Sequence, residues 1–228
     1  MDIRRLLIAN RGEIAVRVLR ACRELGIEAV AVHEPDDHDA LHVELADEAH
    51  EVASYLDQAA LLAVAVAATC DAVHPGYGYL AENPAFATAV ERAGLIWVGP
   101  PPAAMRALGD KVEARRLAEA AGVPVVPGYA GVALDDATLI VEATRLGAPL
   151  LVKAAAGGGG RGMRAVTGLD DLPEALAAAR REAAAAFGDD RVFLERRLRA
   201  ARHIEVQILC DTHRGAVHLG ERDCSLQR

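Results

Sequence analysis

Short apolar runs of strand length alternate with segments of helical periodicity in the first half of the chain, and this alternation constrains the fold most. The strand-like runs lie at residues 6–9, 29–32, 72–73 and 95–98. After the first run, apolar residues recur at helical spacing until Gly26, a residue type that commonly ends helices. Strands joined through helices pair in parallel, so the sequence predicts an α/β fold with a parallel sheet wrapped by helices.

A run of prolines at residues 100–102 predicts the boundary to a second domain. Beyond it, helical patterns lie at residues 105–108, 111–121, 137–146 and 171–187, and strand-like runs lie at 150–153, 163–166, 192–195, 203–209 and 216–221. The run at 203–209 alternates polar and apolar residues, which predicts a half-buried strand. We expect this strand to pair with the run at 216–221.

The net charge and the low aromatic content exclude several classes of partner. The 228 residues carry a formal net charge of -8, and 4% of them are aromatic. Nucleic-acid and anionic-membrane surfaces rely on clustered basic residues, and single strands also rely on aromatic stacking, so we expect neither partner. The longest strongly apolar run, residues 59–68, is too short to span a bilayer.

The cysteines and the first residues predict a cytoplasmic protein. Cys22, Cys70, Cys210 and Cys224 form no CxxC pair and no metal-ligand spacing, so we expect buried thiols and no metal site. The chain starts with charged residues that lead directly into a strand-like run, without the layout of a signal peptide.

Lysine is nearly absent from the chain, which makes its two lysines candidates for chemistry. Of the 25 basic residues, only Lys111 and Lys153 are lysines. A compact ammonium on a flexible stem suits a phosphate oxygen, whereas a guanidinium prefers a planar partner. The composition therefore indicates a phosphate contact at each lysine, and two chance surface positions are the alternative.

A glycine-rich segment at residues 157–162 follows the strand that carries Lys153. Gly157, Gly159 and Gly162 satisfy GxGxxG, but a dinucleotide fingerprint needs a helix after the loop, and strand-like sequence flanks this loop on both sides. A Walker A loop also fails, because no Gly-Lys-Ser/Thr follows. The remaining interpretation is a hairpin tip whose backbone N–H groups close over phosphates, with a flexible turn as the alternative.

Two further polar segments are candidates for the nucleotide. Residues 195–198 follow a strand and would line an adenine pocket through their backbone, with Glu195 reaching the exocyclic amine. A solvated charge cluster is the alternative for this segment. His203 and Glu205 are expected to project from one face of the next strand, and ordinary surface positions are the alternative there.

Several long motifs, taken together, resemble biotin carboxylase. They occur in order and with similar spacing along the whole chain, and the main ones are Asn10-Arg11-Gly12-Glu13, His74-Pro75-Gly76-Tyr77, Gly109-Asp110-Lys111 and Arg222-Asp223-Cys224-Ser225. Carbamoyl-phosphate synthetase and other ATP-grasp ligases share the lysines and the glycine loop with this family. They do not share the His-Pro-Gly-Tyr and Arg-Asp-Cys-Ser segments.

The resemblance implies a fold and a set of nucleotide-binding residues. It implies a Rossmann-like parallel-sheet domain over residues 1–108 and an incomplete ATP-grasp domain over residues 109–228, with a lid at about 124–195. The two lysines resemble lysines that contact phosphates in the family. The remaining implied site residues resemble residues that contact the phosphates, the adenine or another part of the nucleotide. The implied site residues are Lys111, Lys153, Gly159, Gly160, Glu195, Arg196, Arg197, Leu198 and His203.

The resemblance also implies a reaction and its partners. Biotin carboxylases use ATP, bicarbonate and magnesium to carboxylate biotin held on a carrier domain, and they work with a carboxyltransferase, commonly as homodimers. Family members continue past Arg228 with the residues that hold magnesium and activate bicarbonate. We therefore expect an amino-terminal fragment that has no catalytic residue of its own and is inactive alone.

Other functions stay open at this point. A fragment of a pyruvate carboxylase, a urea carboxylase or a ligase of the carbamoyl-phosphate synthetase type would carry the same lysines. A non-catalytic remnant that only dimerises would not be stabilised by ATP. A nucleotide-dependent oxidoreductase would bind NAD in preference to ATP.

Overall fold

The computed structural model describes residues 2–157, 162–213 and 215–226. Gly159 and Gly160, which were predicted to contact phosphates, lie outside the described residues. The chain divides into two compact units, Met1–Arg106 and Ala107–Arg228. Each unit has its own sheet and its own apolar core.

The first unit is built on a parallel sheet, as the alternation of strands and helices predicted. Its strands are β1 at Arg5–Ile8, β2 at Glu28–His33, β3 at Glu48–Glu51, β4 at Ala72–His74 and β5 at Ile96–Trp97. They lie in the order β3-β2-β1-β4-β5, and each neighbouring pair runs parallel. The strand order reverses between β1 and β4, which is the topological switch point of a Rossmann-like fold.

Local signals in the sequence begin and end the helices of this unit. They are α1 at Gly12–Leu25, α2 at Leu41–Leu45, α3 at Gln58–Ala67 and α4 at Pro84–Arg92, and α5 at Pro102–Gly109 starts in this unit and ends beyond Arg106. Gly26 ends α1 in the left-handed region, with φ at 69°. Asn83 caps α4 by accepting hydrogen bonds from two backbone N–H groups. The last proline of the run, Pro102, is the first residue of α5, a position at which helices tolerate proline.

Both faces of the first sheet are covered. Successive residues of β1 point to opposite faces, so Leu7 packs with α3 and α4, while Leu6 and Ile8 pack with α1. On the first of these faces, the rings of Phe86 and Trp97 meet edge to face with centroids 5.7 Å apart. Burial on both faces explains why the inner strands are continuously apolar in the sequence.

Asn10 joins the ends of β1 and β4 at the switch point. Its side chain is fully buried and donates to the carbonyls of Pro75 at 2.7 Å and Tyr77 at 2.9 Å. Gly76 has φ at 64°, and a β-carbon there would lie 2.6 Å from the side chains of Asn10 and Ile14. Glycine is therefore required at this position, and two motifs that are distant in the sequence form one packed unit.

The most apolar helix of the first unit is α3, which has ten residues. Leu61 and Ala65 of this helix are buried against the sheet. Within the described part of the chain, no helix combines the length and the apolar character needed to cross a membrane.

The second unit contains an antiparallel sheet. Its strands are β6 at Gly128–Tyr129, β7 at Leu150–Ala154, β8 at Met163–Val166 and β9 at Val192–Arg196. They lie in the order β6-β9-β7-β8. Because β7 and β8 pair across the glycine-rich segment, the prediction that strands flank this segment on both sides is confirmed.

Helices cover one face of this second sheet. They are α7 at Asp136–Leu146 and α8 at Leu172–Phe187, and α6 at Lys111–Ala120 precedes them in the chain. Leu139 of α7 and Leu176 of α8 pack on Leu150 and Val152 of β7. Burial alternates along β7, so the face that carries Lys153 is only half-buried.

The remaining strands, β10 at Ile204–Cys210 and β11 at Ala216–Asp223, pair antiparallel as predicted. The prediction that β10 is half-buried is wrong, because Val206 is 55% and Ile208 is 59% exposed, and every other residue of the strand except Glu205 is also exposed. Cys210 is exposed too, against expectation, whereas the other three cysteines are buried. Period-two alternation identified the strand, but burial depends on what packs against it.

His42 of α2 is a fully buried histidine in the first unit. Its Nε2 lies 3.2 Å from the carbonyl oxygen of Val32, and its Nδ1 has no hydrogen-bond partner. Burial lowers the pKa of His42; the bond to Val32 and the charge of Asp37 oppose this shift, and Arg11 and His33 add to it. The imidazole is therefore held in its neutral form.

We expect the first unit to lose stability as the pH falls below the ordinary histidine pKa of about 6.5. In that range the unfolded chain binds a proton at His42 that the folded chain excludes, so stability is full above this pH and falls by up to about 1.4 kcal/mol near pH 5.5. Urea denaturation followed by the fluorescence of Trp97, the one tryptophan of the chain, measures the change.

His42→Gln keeps an N–H donor for Val32 and should remove the part of this pH dependence that His42 causes. Burial also lowers the pKa of His74 in the same unit, so a smaller dependence should remain. His38→Gln replaces an exposed histidine of the same region and is the matched control, which should behave as the wild type. If the unfolding midpoint of His42→Gln varies with pH as much as that of the wild type, another group causes the effect.

Candidate functional site

Lys153 and Glu195 lie on the half-buried face of the second sheet. In the antiparallel register Lys153 is opposite Phe193 and Leu151 is opposite Glu195, which places all four side chains on one face. The Lys153 Nζ donates to the Glu195 Oε2 at 2.7 Å and lies 5.6 Å from the centre of the Phe193 ring. The side chains of the pair are 25% and 17% exposed, so water shields their charges only partly.

Arg115 of α6 is a second cation beside Glu195. Its Nη1 lies 3.7 Å from the Glu195 Oε1 and donates to the carbonyl of Val126 at 2.6 Å. Its Nε reaches the Glu119 carboxylate at 3.1 Å. The Arg115 side chain is 10% exposed, so Glu195 lies between two partly buried cations.

Lys111, the first residue of α6, approaches the same region from outside the sheet. Its ammonium donates to the carbonyls of Ala154 at 3.3 Å and Ala156 at 3.2 Å, and also to the carbonyl of Gly157. Burial lowers the pKa of Lys111, the positive charge of Lys153 lowers it further, and nearby carboxylates oppose the shift. The ammonium groups of the two lysines therefore lie in one small region, where β7 leads into the glycine-rich segment.

An apolar strip borders the two charged side chains. In β8, Met163 is opposite Lys153 and Ala165 is opposite Leu151, so these residues share a face with Phe193. Met163 and Ala165 are exposed. Apolar side chains beside a few charged groups are a common feature of small-molecule sites.

The described ends of the glycine-rich segment are both fixed by neighbouring side chains. Gly157 has φ at 79°, and a β-carbon there would lie 2.2 Å from the ring of Phe187. The N–H of Gly162 donates to the Glu182 Oε1 at 3.0 Å, and Glu182 also pairs with Arg164 at 2.8 Å. The ends of this segment are therefore anchored to α8.

The residues that follow Glu195 do not gather around Lys153. Arg196 is opposite Leu150 on the helix-covered face, and its guanidinium donates to a carbonyl at the end of α7 at 2.7 Å. The N–H of Arg197 donates to the carbonyl of Pro149 at 3.0 Å, and Leu198 is exposed. Of this predicted segment, Glu195 is the residue whose side chain contacts a lysine.

His203 lies directly before β10, one residue outside the strand on which it was predicted to lie. Its N–H donates to the Ser225 Oγ at 3.0 Å, and its carbonyl accepts from the N–H of Cys224 at 2.7 Å. These contacts place His203 at the end of the hairpin formed by β10 and β11.

Sequence reasoning missed three charged residues that shape this region. Asp110 caps α6, and an acidic residue directly before a helical pattern is a capping signal that could have identified it. Arg115 and Glu182 contact residues that are distant in the sequence, and no local sequence pattern indicates these contacts. Within the residues that the structure describes, no group of three or more His, Cys, Asp or Glu could hold a metal ion.

Comparison with known families identifies two domains along the chain. The family described as "Biotin carboxylase, N-terminal domain" matches residues 2–105. The family described as "Carbamoyl-phosphate synthase L chain, ATP binding domain" matches residues 110–228.

Curated proteins of two kinds are similar over the whole chain. The biotin carboxylase of Haemophilus influenzae is 50% identical over 233 residues, which cover 99% of this chain and 52% of that protein. The propionyl-CoA carboxylase alpha chain of Ruegeria pomeroyi is 45% identical over 230 residues, which cover 98% of this chain and 34% of that protein. The chain thus spans about half the length of the biotin carboxylase it matches, and a smaller share of the alpha chain.

The fold agrees with a solved structure of the same kind. A biotin carboxylase from Campylobacter jejuni, described as a β-γ-ATP complex, matches with a TM-score of 0.96 and 42% identity, over 100% of this chain and 52% of that one. The motifs, the fold and these similarities lead to one assignment. The chain belongs to the biotin carboxylase family, and it carries the amino-terminal domain of that family followed by the ATP-binding domain.

Proposed function

We propose that the second unit binds ATP as the nucleotide-binding part of a biotin carboxylase. The observation that carries this proposal is the convergence of the two lysines, one from α6 and one from β7, on the start of the glycine-rich segment. Two ammonium groups beside a glycine-rich backbone suit the phosphates of a nucleotide. The match of residues 110–228 to an ATP-binding family supports the same assignment.

In this proposal, Lys111 and Lys153 exchange their present partners for phosphate oxygens, and Gly159 and Gly160 close over the phosphates. The base lies near residues 195–198, and His203 contributes a further contact. The apolar strip beside Glu195 supports a flat ring at that position. The domain limits of 1–108 and 109–228, with a lid at about 124–195, belong to the same proposal.

For the whole protein we propose the reaction of the family. ATP and bicarbonate give carboxyphosphate and ADP, carboxyphosphate releases CO2 and phosphate, and the CO2 is added to the ureido nitrogen of biotin on a carrier domain. A carboxyltransferase and a second copy of the protein complete the assembly. Magnesium belongs to this wider proposal, because the residues described here gather no set of ligands for it.

The comparisons with known proteins favour the carboxylation of biotin over the synthesis of carbamoyl phosphate. Residues 2–105 match a domain described for biotin carboxylase, which favours that family over carbamoyl-phosphate synthase, although the following domain is named after the latter. A biotin carboxylase and a propionyl-CoA carboxylase alpha chain are similar to the chain at 50% and 45% identity. We therefore propose the carboxylation of biotin as the reaction. The molecule that finally receives the carboxyl group is selected by the carboxyltransferase.

We expect Lys153→Met to weaken ADP binding by roughly ten- to a hundredfold. A hydrogen bond to a charged group contributes about 1.5 to 3 kcal/mol, and the variant removes the ammonium while keeping an apolar stem of similar length. Titration calorimetry of ADP with both proteins measures the change, and thermal unfolding checks that the variant is folded.

The matched control is Arg145→Met, which removes one positive charge from an exposed position on α7. It should bind ADP as the wild type does. Equal affinities of wild type and Lys153→Met would remove Lys153 from the site, and tighter binding of NAD than of ADP would favour an oxidoreductase.

We expect Glu195→Gln to bind inorganic tripolyphosphate more tightly, by roughly fivefold. Glu195 occupies Lys153 and lies beside Arg115, so removing its charge frees positive charge for an anion, and a partly shielded pair of this kind contributes on the order of 1 kcal/mol. Tripolyphosphate has no base and so measures the charge effect alone. Calorimetry with tripolyphosphate and with ATP compares the two ligands.

Glu119→Gln is the control for this variant, because it removes the same charge from the exposed partner of Arg115. It should change the affinity little. If Glu195→Gln weakens tripolyphosphate binding, the carboxylate orients Lys153 for phosphate and does not compete with it.

A further inference from the structure

Arg191 links the cap of α6 to the turn before β9. Its Nη2 donates to the Asp110 Oδ2 at 2.8 Å and to the Asp189 Oδ2 at 2.6 Å. Asp110 directly precedes Lys111, and its other oxygen accepts from two backbone N–H groups of the first turn of α6 at 2.9 Å and 3.1 Å. One carboxylate therefore caps the helix and ties it to the start of β9.

The backbone connects the same elements. The N–H of Lys111 donates to the carbonyl of Ala155 at 2.9 Å, and the N–H of Ala155 donates to the carbonyl of Arg191, also at 2.9 Å. Ala155 directly follows β7. The start of α6, the end of β7 and the start of β9 therefore meet at one residue, next to the carbonyls that the Lys111 ammonium contacts.

The ion pair of Arg191 with Asp110 contributes little to folding stability, and its main effect is to hold the start of α6 against the start of β9. The two side chains are 47% and 27% exposed, and pairs with this much water around them stabilise folded chains little. Hydrogen bonds to Asp189 first and then to Asp110 raise the pKa of Arg191. Burial opposes ionisation of Asp110, but the bond from Arg191 and the bonds from the helix lower the pKa of Asp110, so the pair stays charged at neutral pH.

We infer that Arg191 is a positioning residue for Lys111. By holding the Asp110 cap against the start of β9, Arg191 fixes the direction in which the Lys111 side chain leaves α6. This direction brings the ammonium to the end of β7, beside Lys153. The inference rests on the proposed function, because a fixed ammonium next to a second one is useful for binding phosphates.

The test is a double-mutant cycle on the full chain, measured as ADP affinity by titration calorimetry. Arg191→Met should weaken ADP binding by about three- to fivefold. It should have no further effect in a Lys111→Met background, because Arg191 acts through Lys111. Arg191→Lys keeps a cation for Asp110 and should restore most of the affinity. Arg116→Met, which removes an exposed arginine from the same helix, should change nothing.

A second readout needs no nucleotide. The chain has two lysines, so protein labelled with 15N-lysine gives two side-chain signals. The Lys111 signal should move in Arg191→Met, and the Lys153 signal should stay in place. Unchanged ADP affinity, a loss that persists in the Lys111→Met background, or an unmoved Lys111 signal overturns the inference. If the wild type binds no ADP, the proposed function fails instead, and the Lys111 signal alone decides whether Arg191 positions Lys111.

Discussion

The pairing of β7 with β9 determines where the charged groups of the second unit lie. Its register extends from Leu150 opposite Arg196 to Ala154 opposite Val192. A slip of one residue would send Lys153 into the helix-covered face and an apolar neighbour to the open face. Leu150 and Val152 fill the core under α7 and α8, so the apolar packing of one face fixes the positions of Lys153 and Glu195 on the other.

A positively charged side chain that is partly shielded from water is stable only when it contacts a hydrogen-bond acceptor or a negative charge. Lys153 has Glu195, and Lys111 has three backbone carbonyls. In the proposed function, an incoming phosphate would replace these interactions, and its affinity would depend on the difference in free energy between the old and the new partners. Arg115 matters for this proposal, because it is a second cation beside Glu195 and would still pair with this carboxylate if Lys153 bound another anion.

The first sheet was predictable where the strands are buried on both faces, because β1, β2 and β4 then appear as apolar runs. The edge strand β3 at Glu48–Glu51 was not predicted, since it is half-buried or exposed and contains two glutamates and a histidine. Lys111 and Lys153 stood out only because arginine replaces lysine everywhere else in the chain. Their partners were not predictable: Glu195 is 42 positions away from Lys153, and only the strand register brings the two together.

In the first unit, packing side chains occupy the switch point of the Rossmann-like sheet. In such sheets ligands enter the crevice at the switch point, outside the carboxyl ends of the strands. Here the buried side chain of Asn10 crosses from the end of β1 to the carbonyls that follow β4, and Gly76 packs against it without room for a β-carbon. The side-chain amide of Asn10 is thus used to hold the ends of these two strands together. Packing at the switch point thus accounts for Asn10 and Gly76 of the two motifs, and the two lysines proposed to contact phosphate lie in the second unit.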